Sequence, residues 1–224
     1  MQVAIDGPAS AGKSTVAKIV AKNLNFIYID TGAMYRVCTW IAKQGNVDYG
    51  DETKILNLLD HAKIEFKNTE KEQKVLVNGE DVSLAIRTPE ITEHVSQVSA
   101  LKGIREKMVE LQREMAGKNN VIMDGRDIGT TVLPNAEVKI FLIASVESRA
   151  KRRYLDFQEK GIHQDLKEIE HDIEERDYKD SHRKISPLKK AKDAIELDTT
   201  NLTIEEVVQA ITQLIEKEQK NLAK

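Results

Sequence analysis

Short apolar runs alternate with longer amphipathic stretches along this chain. The short runs have the length and composition of buried strands, and they occupy residues 3–6, 26–30, 121–125, 138–144 and 194–199. The longer stretches repeat apolar residues at helical spacing, and they occupy residues 13–24, 34–45, 90–116, 147–160, 165–177 and 203–217. Because strands that alternate with helices form parallel sheets covered on both faces, the pattern predicts an α/β fold.

Two segments depart from this alternation. Residues 63–83 alternate apolar and polar positions around a polar turn, which predicts an antiparallel β-hairpin in an inserted lobe. Residues 145–190 are highly charged, and their second helical stretch keeps a thin apolar stripe made of Leu166, Ile169 and Ile173. Such a composition is typical of a short helical lid rather than of a core.

Composition and charge narrow the class of protein. The chain has 224 residues with 40% hydrophobic residues and a net charge of −3, and it contains no apolar run long enough to span a membrane. The start MQVAID lacks the features of a secretion signal. Cys38 is the single cysteine and lies in a helical pattern, which predicts a buried structural thiol. We therefore expect a cytoplasmic protein without a membrane partner.

The segment GPASAGKS, residues 7–14, has the spacing of a phosphate-binding loop and stands between a predicted strand and a predicted helix. Gly7 and Gly12 permit backbone conformations that a side chain would block, so successive N–H groups can face phosphate oxygens. A chance match is the alternative, but the flanking strand and helix argue against it. The predicted ATP-binding residues are Gly7, Pro8, Ala9, Ser10, Ala11, Gly12, Lys13, Ser14 and Thr15.

Two residues of this loop, and an acidic residue at the end of a later strand, are suited to binding phosphate and metal. Lys13 adds a positive charge at the β- and γ-phosphates, and the Ser14 hydroxyl can ligate Mg²⁺. Asp124 ends the apolar run 121–124, and an acidic residue there can orient the water shell of the metal. The sequence therefore predicts ATP as phosphoryl donor and Mg²⁺ as cofactor.

The loop alone does not separate switches from kinases. Neither the guanine-reading N-K-x-D pattern nor D-x-x-G occurs in the chain, which argues against a GTP-dependent switch. A phosphotransferase needs arginines opposite the loop for a second anionic substrate. Candidates follow the predicted strands or lie on the charged helices: Arg36, Arg126, Arg149, Arg152, Arg153, Arg176 and Arg183. Solvated charged faces remain the alternative for Arg149, Arg152 and Arg153.

Five blocks of sequence together resemble the bacterial cytidylate (CMP) kinase family. They are GPASAGKST, DTGAMYR, SQVSA with the later Arg105, DGRDIGT and ERDYKDSHR, and they span residues 3 to about 200 in the family's order. The resemblance implies a single P-loop kinase domain over 1–224, a three-layer sandwich around a five-stranded parallel sheet. It implies a core of residues 1–34, 117–147 and 178–224, a monophosphate-binding insert at about 35–110, and a lid at about 148–165.

The resemblance also implies which residues act. The family's CMP site carries over to Asp30, Thr31, Arg36, Ser96, Arg105, Gly125, Arg126, Asp127, Arg176, Asp180 and Arg183. Its catalytic residues carry over to Lys13, Arg126, Arg152 and Arg176. Thr31 stands where some relatives have Ser, and the hydroxyl is retained. The implied reaction transfers the γ-phosphoryl group of ATP to CMP or dCMP, giving CDP or dCDP and ADP.

Base recognition follows from residue chemistry once this site is assumed. Asp127 can accept a hydrogen bond from the exocyclic amine of cytosine, while Ser96 and Arg105 can donate to the ring acceptors. Uracil would place a carbonyl oxygen against the Asp127 carboxylate, which disfavours UMP. The alternative for Asp127 is a structural role, either capping a helix or pairing with Arg126.

Other functions remain open at the level of sequence. The loop also suits a kinase of another small anion, such as UMP or shikimate, and a non-catalytic nucleotide-binding regulator. The basic stretch KKAK at 189–192 could suggest nucleic-acid binding, but aromatic residues are only 4% of the chain, so stacking partners are scarce. We therefore expect ATP and CMP or dCMP as partners, no nucleic acid, and a monomer.

Overall fold

A computed structural model describes residues 1–69, 73–159 and 161–223. The strands are β1 (Gln2–Asp6), β2 (Ile27–Asp30), β3 (Ile64–Asn68), β4 (Gln73–Val77), β5 (Glu80–Asp81), β6 (Val121–Gly125), β7 (Val138–Ile143) and β8 (Ile195–Asp198). The helices are α1 (Lys13–Leu24), α2 (Thr31–Gln44), α3 (Glu52–Leu59), α4 (Pro89–Ala100), α5 (Lys102–Ala116), α6 (Val146–Glu159), α7 (Leu166–His182) and α8 (Ile204–Leu222). The chain divides into two compact units, Met1–Ile29 with Ala116–Lys224 and Asp30–Met115.

The first unit is built on a parallel sheet. Over the described residues it has five strands in the order β2-β6-β1-β7-β8, and β1 pairs in parallel with both β6 and β7. Val16 and Val20 of α1 and Ile211 of α8 pack with apolar residues of β1 and β7 in one buried cluster. The α/β fold predicted from the apolar runs is confirmed, and so is the five-stranded parallel sheet that the family resemblance implies.

The register of the central strands determines which loops are neighbours. In the β1–β6 pair, Ile5 lies opposite Asp124 and Asp6 lies opposite Gly125. Both strands therefore end at the same level, and the loops that follow them start side by side. Ligands of open α/β sheets bind at this carboxyl edge, where residues 7–12 and 126–132 begin.

The charged region after β7 folds as a helix pair. Ile169 and Ile173 of α7 are fully buried with Ala150 of α6, and Phe157 and Leu166 pack against this small cluster. The apolar stripe predicted at Leu166, Ile169 and Ile173 therefore lies between helices. The helical pattern predicted to end at residue 177 continues to His182.

The second unit combines helices with a small antiparallel sheet, β3-β4-β5 over the described residues. The hairpin predicted for residues 63–83 is confirmed, although its polar turn at residues 70–72 lies outside the described residues. A further tight turn at Asn78 and Gly79, with φ of 51° and 86°, leads into β5. Asn and Gly suit this turn because both tolerate positive φ.

One expectation for the second unit is wrong, and one of its helices was not predicted. The single helical stretch predicted at 90–116 is two helices, because Leu101 adopts an extended backbone with ψ of 129° between α4 and α5. Helix α3 was not predicted from the pattern at all.

The expectation for Cys38 is confirmed: it is fully buried in α2, and burial raises the pKa of its thiol to about 12. Among the described residues, no helix has both the length and the apolar character needed to cross a membrane.

Candidate active site

The loop between β1 and α1 depends on two glycines. A Cβ on Gly7 would lie 2.2 Å from the Leu142 carbonyl oxygen of β7, so any other residue would push the loop off the sheet. Gly12 has φ of 86° and occupies the cap position of α1. This left-handed conformation favours glycine, and it turns the chain into the helix.

The start of α1 is suited to an anion. No side chain caps its first N–H groups, and no acidic residue occupies its first turn. Such N–H groups and the helix dipole favour a bound phosphate. The Lys13 ammonium is buried beside the loop and donates to the Pro8 carbonyl at 2.7 Å. Burial, together with the nearby Arg126 charge, lowers the pKa of Lys13 well below its usual value.

A serine and two further side chains form an oxygen-rich site next to this loop. The Ser14 hydroxyl donates to Asp124 Oδ2 at 2.8 Å, and the Tyr28 hydroxyl donates to Asp124 Oδ1 at 2.6 Å. Hydroxyl and carboxylate oxygens are the ligands Mg²⁺ prefers, so these residues fit a magnesium ion. The described residues contain no cluster of three or more acidic, histidine or cysteine side chains suited to a metal.

Two arginines of the DGRD and ERD segments lie around one carboxylate. The Arg126 Nε donates to Asp180 Oδ2 at 2.9 Å, and both side chains are largely buried. Although burial disfavours its charged form, the Asp180 carboxylate raises the pKa of Arg126. Burial, followed by the Arg126 charge, lowers the pKa of Arg176 to about 10. The Arg176 Nε is buried with no hydrogen-bond partner among the described residues.

This arrangement has an excess of positive charge. Arg126 is paired with the Asp180 carboxylate and the Arg176 charge also acts on it, while burial is the main reason why the pKa of Arg176 is depressed. A phosphate dianion would relieve both the charge repulsion and the unpaired Arg176 donor. The group therefore has the chemistry of a phosphate-binding cradle.

Asp127 forms an ion pair with Arg183, whose Nη2 lies 3.5 Å from Asp127 Oδ1. The Arg183 Nε donates to the Ser186 carbonyl at 2.6 Å, which fixes the guanidinium just after the end of α7. The structure does not support the capping alternative for Asp127, because its side chain makes no capping hydrogen bond to the turn at Ile128–Val132. Arg183 directly follows α7, which ends at His182, whereas Arg176 and Asp180 lie on that helix.

Sequence analysis missed Asp6. Its carboxylate is buried and accepts from the Ile128 and Gly129 N–H groups, both at 2.8 Å. Burial raises the pKa of Asp6 to about 6. The pair of hydrogen bonds holds the chain immediately after Asp127. An acidic residue that ends a buried strand, directly before a phosphate-binding loop, is the signal that could have identified it.

The second unit carries five of the predicted residues of the CMP site, and these are Asp30, Thr31, Arg36, Ser96 and Arg105. Asp30 caps α2 by accepting from the Ala33 N–H at 2.8 Å, and Thr31, the first residue of α2, is buried. Arg36 donates to Thr92 Oγ1 at 2.8 Å. The Arg105 guanidinium is buried 5.1 Å from the centre of the Tyr35 ring and donates to the Ser99 carbonyl.

Ser96 lies on α4 and Arg105 on α5, within the second unit. The other six, Gly125, Arg126, Asp127, Arg176, Asp180 and Arg183, belong to the first unit. That these residues together form a single CMP site stays a prediction.

The arginines of α6 have separate environments. Arg149 is only 4% exposed, so the alternative of a solvated face is wrong for it. The Arg152 Nη1 donates to Thr199 Oγ1 at 3.1 Å, and its Nη2 donates to the Thr199 carbonyl. The Arg153 guanidinium lies 5.1 Å from the centre of the Phe157 ring. A catalytic role for Arg152 therefore requires it to leave Thr199, and that role stays a prediction.

The chain is similar in sequence to a known protein family. The sequence profile of the family described as Cytidylate kinase matches residues 3–217. A Lactobacillus johnsonii protein named Cytidylate kinase is 81% identical over 221 residues, which cover 99% of this chain and 96% of the relative. A protein of the same name from Ligilactobacillus salivarius is 59% identical over 217 residues, or 97% of each chain.

Among solved structures, an uncharacterized protein from Eubacterium ventriosum is similar in fold. The TM-score is 0.52 at 14% identity, and the match covers 97% of this chain and 98% of that chain. At that identity the likeness concerns the fold alone.

Proposed function

The chain belongs to the cytidylate kinase family and is a nucleoside monophosphate kinase, and from that premise we propose how its residues act. It transfers the γ-phosphoryl group of ATP to CMP or dCMP, giving CDP or dCDP and ADP. The observation that best supports the proposed mechanism is the buried group of Arg126, Arg176 and Asp180, next to a phosphate-binding loop. Its uncompensated positive charge fits an acceptor phosphate.

ATP lies on residues 7–15 in this proposal. Loop N–H groups and the Lys13 ammonium bind its phosphates, and Lys13 exchanges its contact with the Pro8 carbonyl for a phosphate oxygen. Ser14 and Asp124 would hold Mg²⁺, with Tyr28 fixing the orientation of the carboxylate. A Mg²⁺ ion held there would neutralise charge on the β- and γ-phosphates.

The acceptor needs orientation more than activation. A phosphate monoester is already anionic at pH 7, so its oxygen attacks the γ-phosphorus without a strong general base. Arg126 and Arg176 hold the acceptor phosphate in line and offset charge on the transferring group, and Arg36 contributes from the second unit. Alignment and charge neutralisation then account for the rate acceleration.

Base selection is assigned to Asp127, Ser96 and Arg105. Asp127 accepts from the cytosine amine, and Arg183 holds the Asp127 carboxylate in place. Asp180 and Arg183 contact the sugar, Thr31 lines the nucleotide site, and Asp30 and Gly125 lie beside it. We extend the proposal to a monomer that acts in the cytoplasm, which sedimentation and cell fractionation would test.

The test is a coupled assay with ATP and Mg²⁺ against CMP, dCMP, UMP, AMP, GMP and shikimate. Turnover with CMP and dCMP that far exceeds turnover with the other acceptors is expected. Preference for UMP or shikimate would contradict the assigned substrate, and ATP hydrolysis without any acceptor would indicate an ATPase. Omitting Mg²⁺, with EDTA present, should abolish transfer if the metal acts as proposed.

A further inference from the structure

Ala9, in the middle of the phosphate-binding loop, is held through both of its backbone polar groups. Its N–H donates to Asp177 Oδ1 at 3.0 Å, and its carbonyl accepts from Arg149 Nη1 at 2.9 Å. The same Arg149 Nη1 lies 2.5 Å from Asp177 Oδ2. The charged pair therefore bonds the two consecutive peptide groups that flank the Ala9 Cα. We call Arg149 and Asp177 the Ala9 clamp.

The Ala9 clamp is connected to the sheet and to the α6–α7 helix pair. Arg149 lies on α6, is buried, and also donates from Nε to the Ala144 carbonyl at the end of β7, at 3.0 Å. Asp177 lies on α7, which packs against α6 through Ile169 and Ile173. Charge-assisted hydrogen bonds in such a setting are stronger than neutral ones. The loop is therefore tied to the sheet and to the helix pair.

The loop needs such support next to Ala9. Ser10 has φ of 59°, a left-handed conformation that is unfavourable for a residue with a side chain. Outside contacts must offset this cost if the loop is to keep its shape before ATP binds. A loop already in its binding geometry loses less conformational entropy on binding.

Helix α7 also reaches the candidate acceptor cradle. Asp177 directly follows Arg176, and Asp180 of the next turn pairs with Arg126. The Asp177 charge contributes, after burial and Asp180, to the pKa of Arg126. One helix thus contacts the loop proposed for the donor and the group proposed for the acceptor phosphate.

We propose that Asp177 and Arg149 are positioning residues that hold the phosphate-binding loop in its ATP-binding geometry and tie it to α7. This inference rests on the proposed function, in which residues 7–15 bind ATP. It assigns Arg149 to support of the loop, and not to contact with the transferring phosphoryl group. Neither residue needs to touch ATP.

Steady-state kinetics of Asp177→Ala test the proposal. Glu175→Ala is the matched control, because Glu175 lies on the same helix and pairs with Lys179 at the surface. The expected result for Asp177→Ala is a rise of about tenfold in the KM for ATP, the effect of losing one charge-assisted contact. The KM for CMP should change less than threefold, and the control should match the wild type in both.

Two further variants cover the case in which Asp177→Ala does not fold. Asp177→Asn keeps an acceptor for the Ala9 N–H but removes the charge next to Arg149, so the KM for ATP should rise by a smaller factor, about threefold. Arg149→Lys cannot bridge the Ala9 carbonyl and Asp177 in the same way and should also raise the KM for ATP. The double variant Asp177→Asn with Arg149→Lys should raise it less than the product of the two effects.

The outcomes separate this inference from the proposed function. If the wild type fails to phosphorylate CMP with ATP, the proposed function is wrong. If the wild type is active and these variants show an unchanged KM for ATP, the clamp is overturned. It is also overturned if the KM values for ATP and CMP rise equally, or if only the melting temperature falls, because a merely structural role predicts those results.

Discussion

Arg126 is the residue on which the proposed chemistry depends most directly. We expect Arg126→Ala to lower kcat/KM for CMP by at least about 100-fold, because a buried cation that offsets transferring charge is removed. Thermal stability should fall much less, since Arg176 and Arg183 still offset the charge of the Asp180 carboxylate. Steady-state assays and thermal melts measure the two effects. An Arg126→Ala enzyme with near-normal CMP turnover would contradict the assignment.

Lys151→Ala provides the comparison for that experiment. Lys151 forms an exposed ion pair with Glu147 on α6, and such surface pairs contribute little to stability. The turnover and the melting temperature of Lys151→Ala should both stay close to those of the wild type. A loss of activity there would indicate that any change of charge in this region is harmful.

Asp127 is predicted to determine the choice of base. Asp127→Asn replaces an acceptor-only carboxylate with an amide that can also donate, so a uracil carbonyl is no longer repelled. The ratio of kcat/KM for CMP to that for UMP should fall by about tenfold or more, the effect of about 1–3 kcal/mol for a mispaired polar group. Unchanged selectivity would mean that another group recognises the cytosine amine.

The raised pKa of Asp6 should make the free energy of unfolding depend on pH. Its pKa of about 6 in the folded protein exceeds the ordinary 3.8, because burial penalises the charged form. Between these two pH values the folded state binds more protons than the unfolded state. The contribution of Asp6 to the free energy of unfolding therefore falls as pH rises through this window, by up to about 3 kcal/mol, and is constant above it.

Asp6→Asn isolates this effect, since the amide does not titrate. Denaturant unfolding of both proteins from pH 4 to pH 7 should show wild-type stability decreasing relative to Asp6→Asn. A difference that does not vary with pH would show that Asp6 has an ordinary pKa in the folded protein. A difference that grows with pH would contradict the sign of the shift.

At the scale of elements, α8 shows how local sequence specifies a boundary. The Thr203 hydroxyl accepts from the Glu206 N–H at 3.2 Å, and Glu206 Oε2 accepts from the Thr203 N–H at 2.8 Å. This reciprocal pair is a capping box, and both its residues can be recognised in the sequence. Val207, Ile211 and Ile215 then bury the helix against the sheet.

Thr203→Ala should lower the free energy of unfolding by about 1 kcal/mol, the usual effect of losing an N-terminal cap. Denaturant unfolding measures the change, and turnover with CMP should be unaffected. Thr212→Ala on the same helix is the control, because the Thr212 hydroxyl only bonds back to the Val208 carbonyl. Equal losses in the two variants would show that the cap has no special role.

At the scale of the whole molecule, substrate binding should stabilise the fold. A ligand that binds only the folded state at 100 times its Kd adds about 2.7 kcal/mol to the free energy of unfolding. For a chain of this size the melting temperature should then rise by roughly 5–10 °C. CMP should produce this shift in a thermal melt, and UMP at the same concentration should produce a clearly smaller one. Equal shifts would contradict base selection.

The main elements of the fold could be predicted because their patterns are local. Alternating apolar runs gave the parallel sheet, and the glycines at 7 and 12 with Lys13 gave the loop and the start of α1. The break at Leu101 escaped prediction because both helices continue the same apolar spacing, and only backbone geometry distinguishes them. Helix α3 is short, and a short amphipathic stretch carries a weak periodic signal.

The sequence by itself determined the strand–loop–helix context of GPASAGKS and, through resemblance, the family and the candidate CMP residues. Only the tertiary structure showed three hydrogen-bonded contacts. Asp6 bonds the backbone that follows Asp127, Tyr28 bonds Asp124, and the Arg149–Asp177 pair bonds the backbone of Ala9. The physical reason is distance along the chain. Arg149 lies 140 residues from the carbonyl that it holds, and a contact of that separation depends on strand order, register and helix packing, which no local pattern encodes.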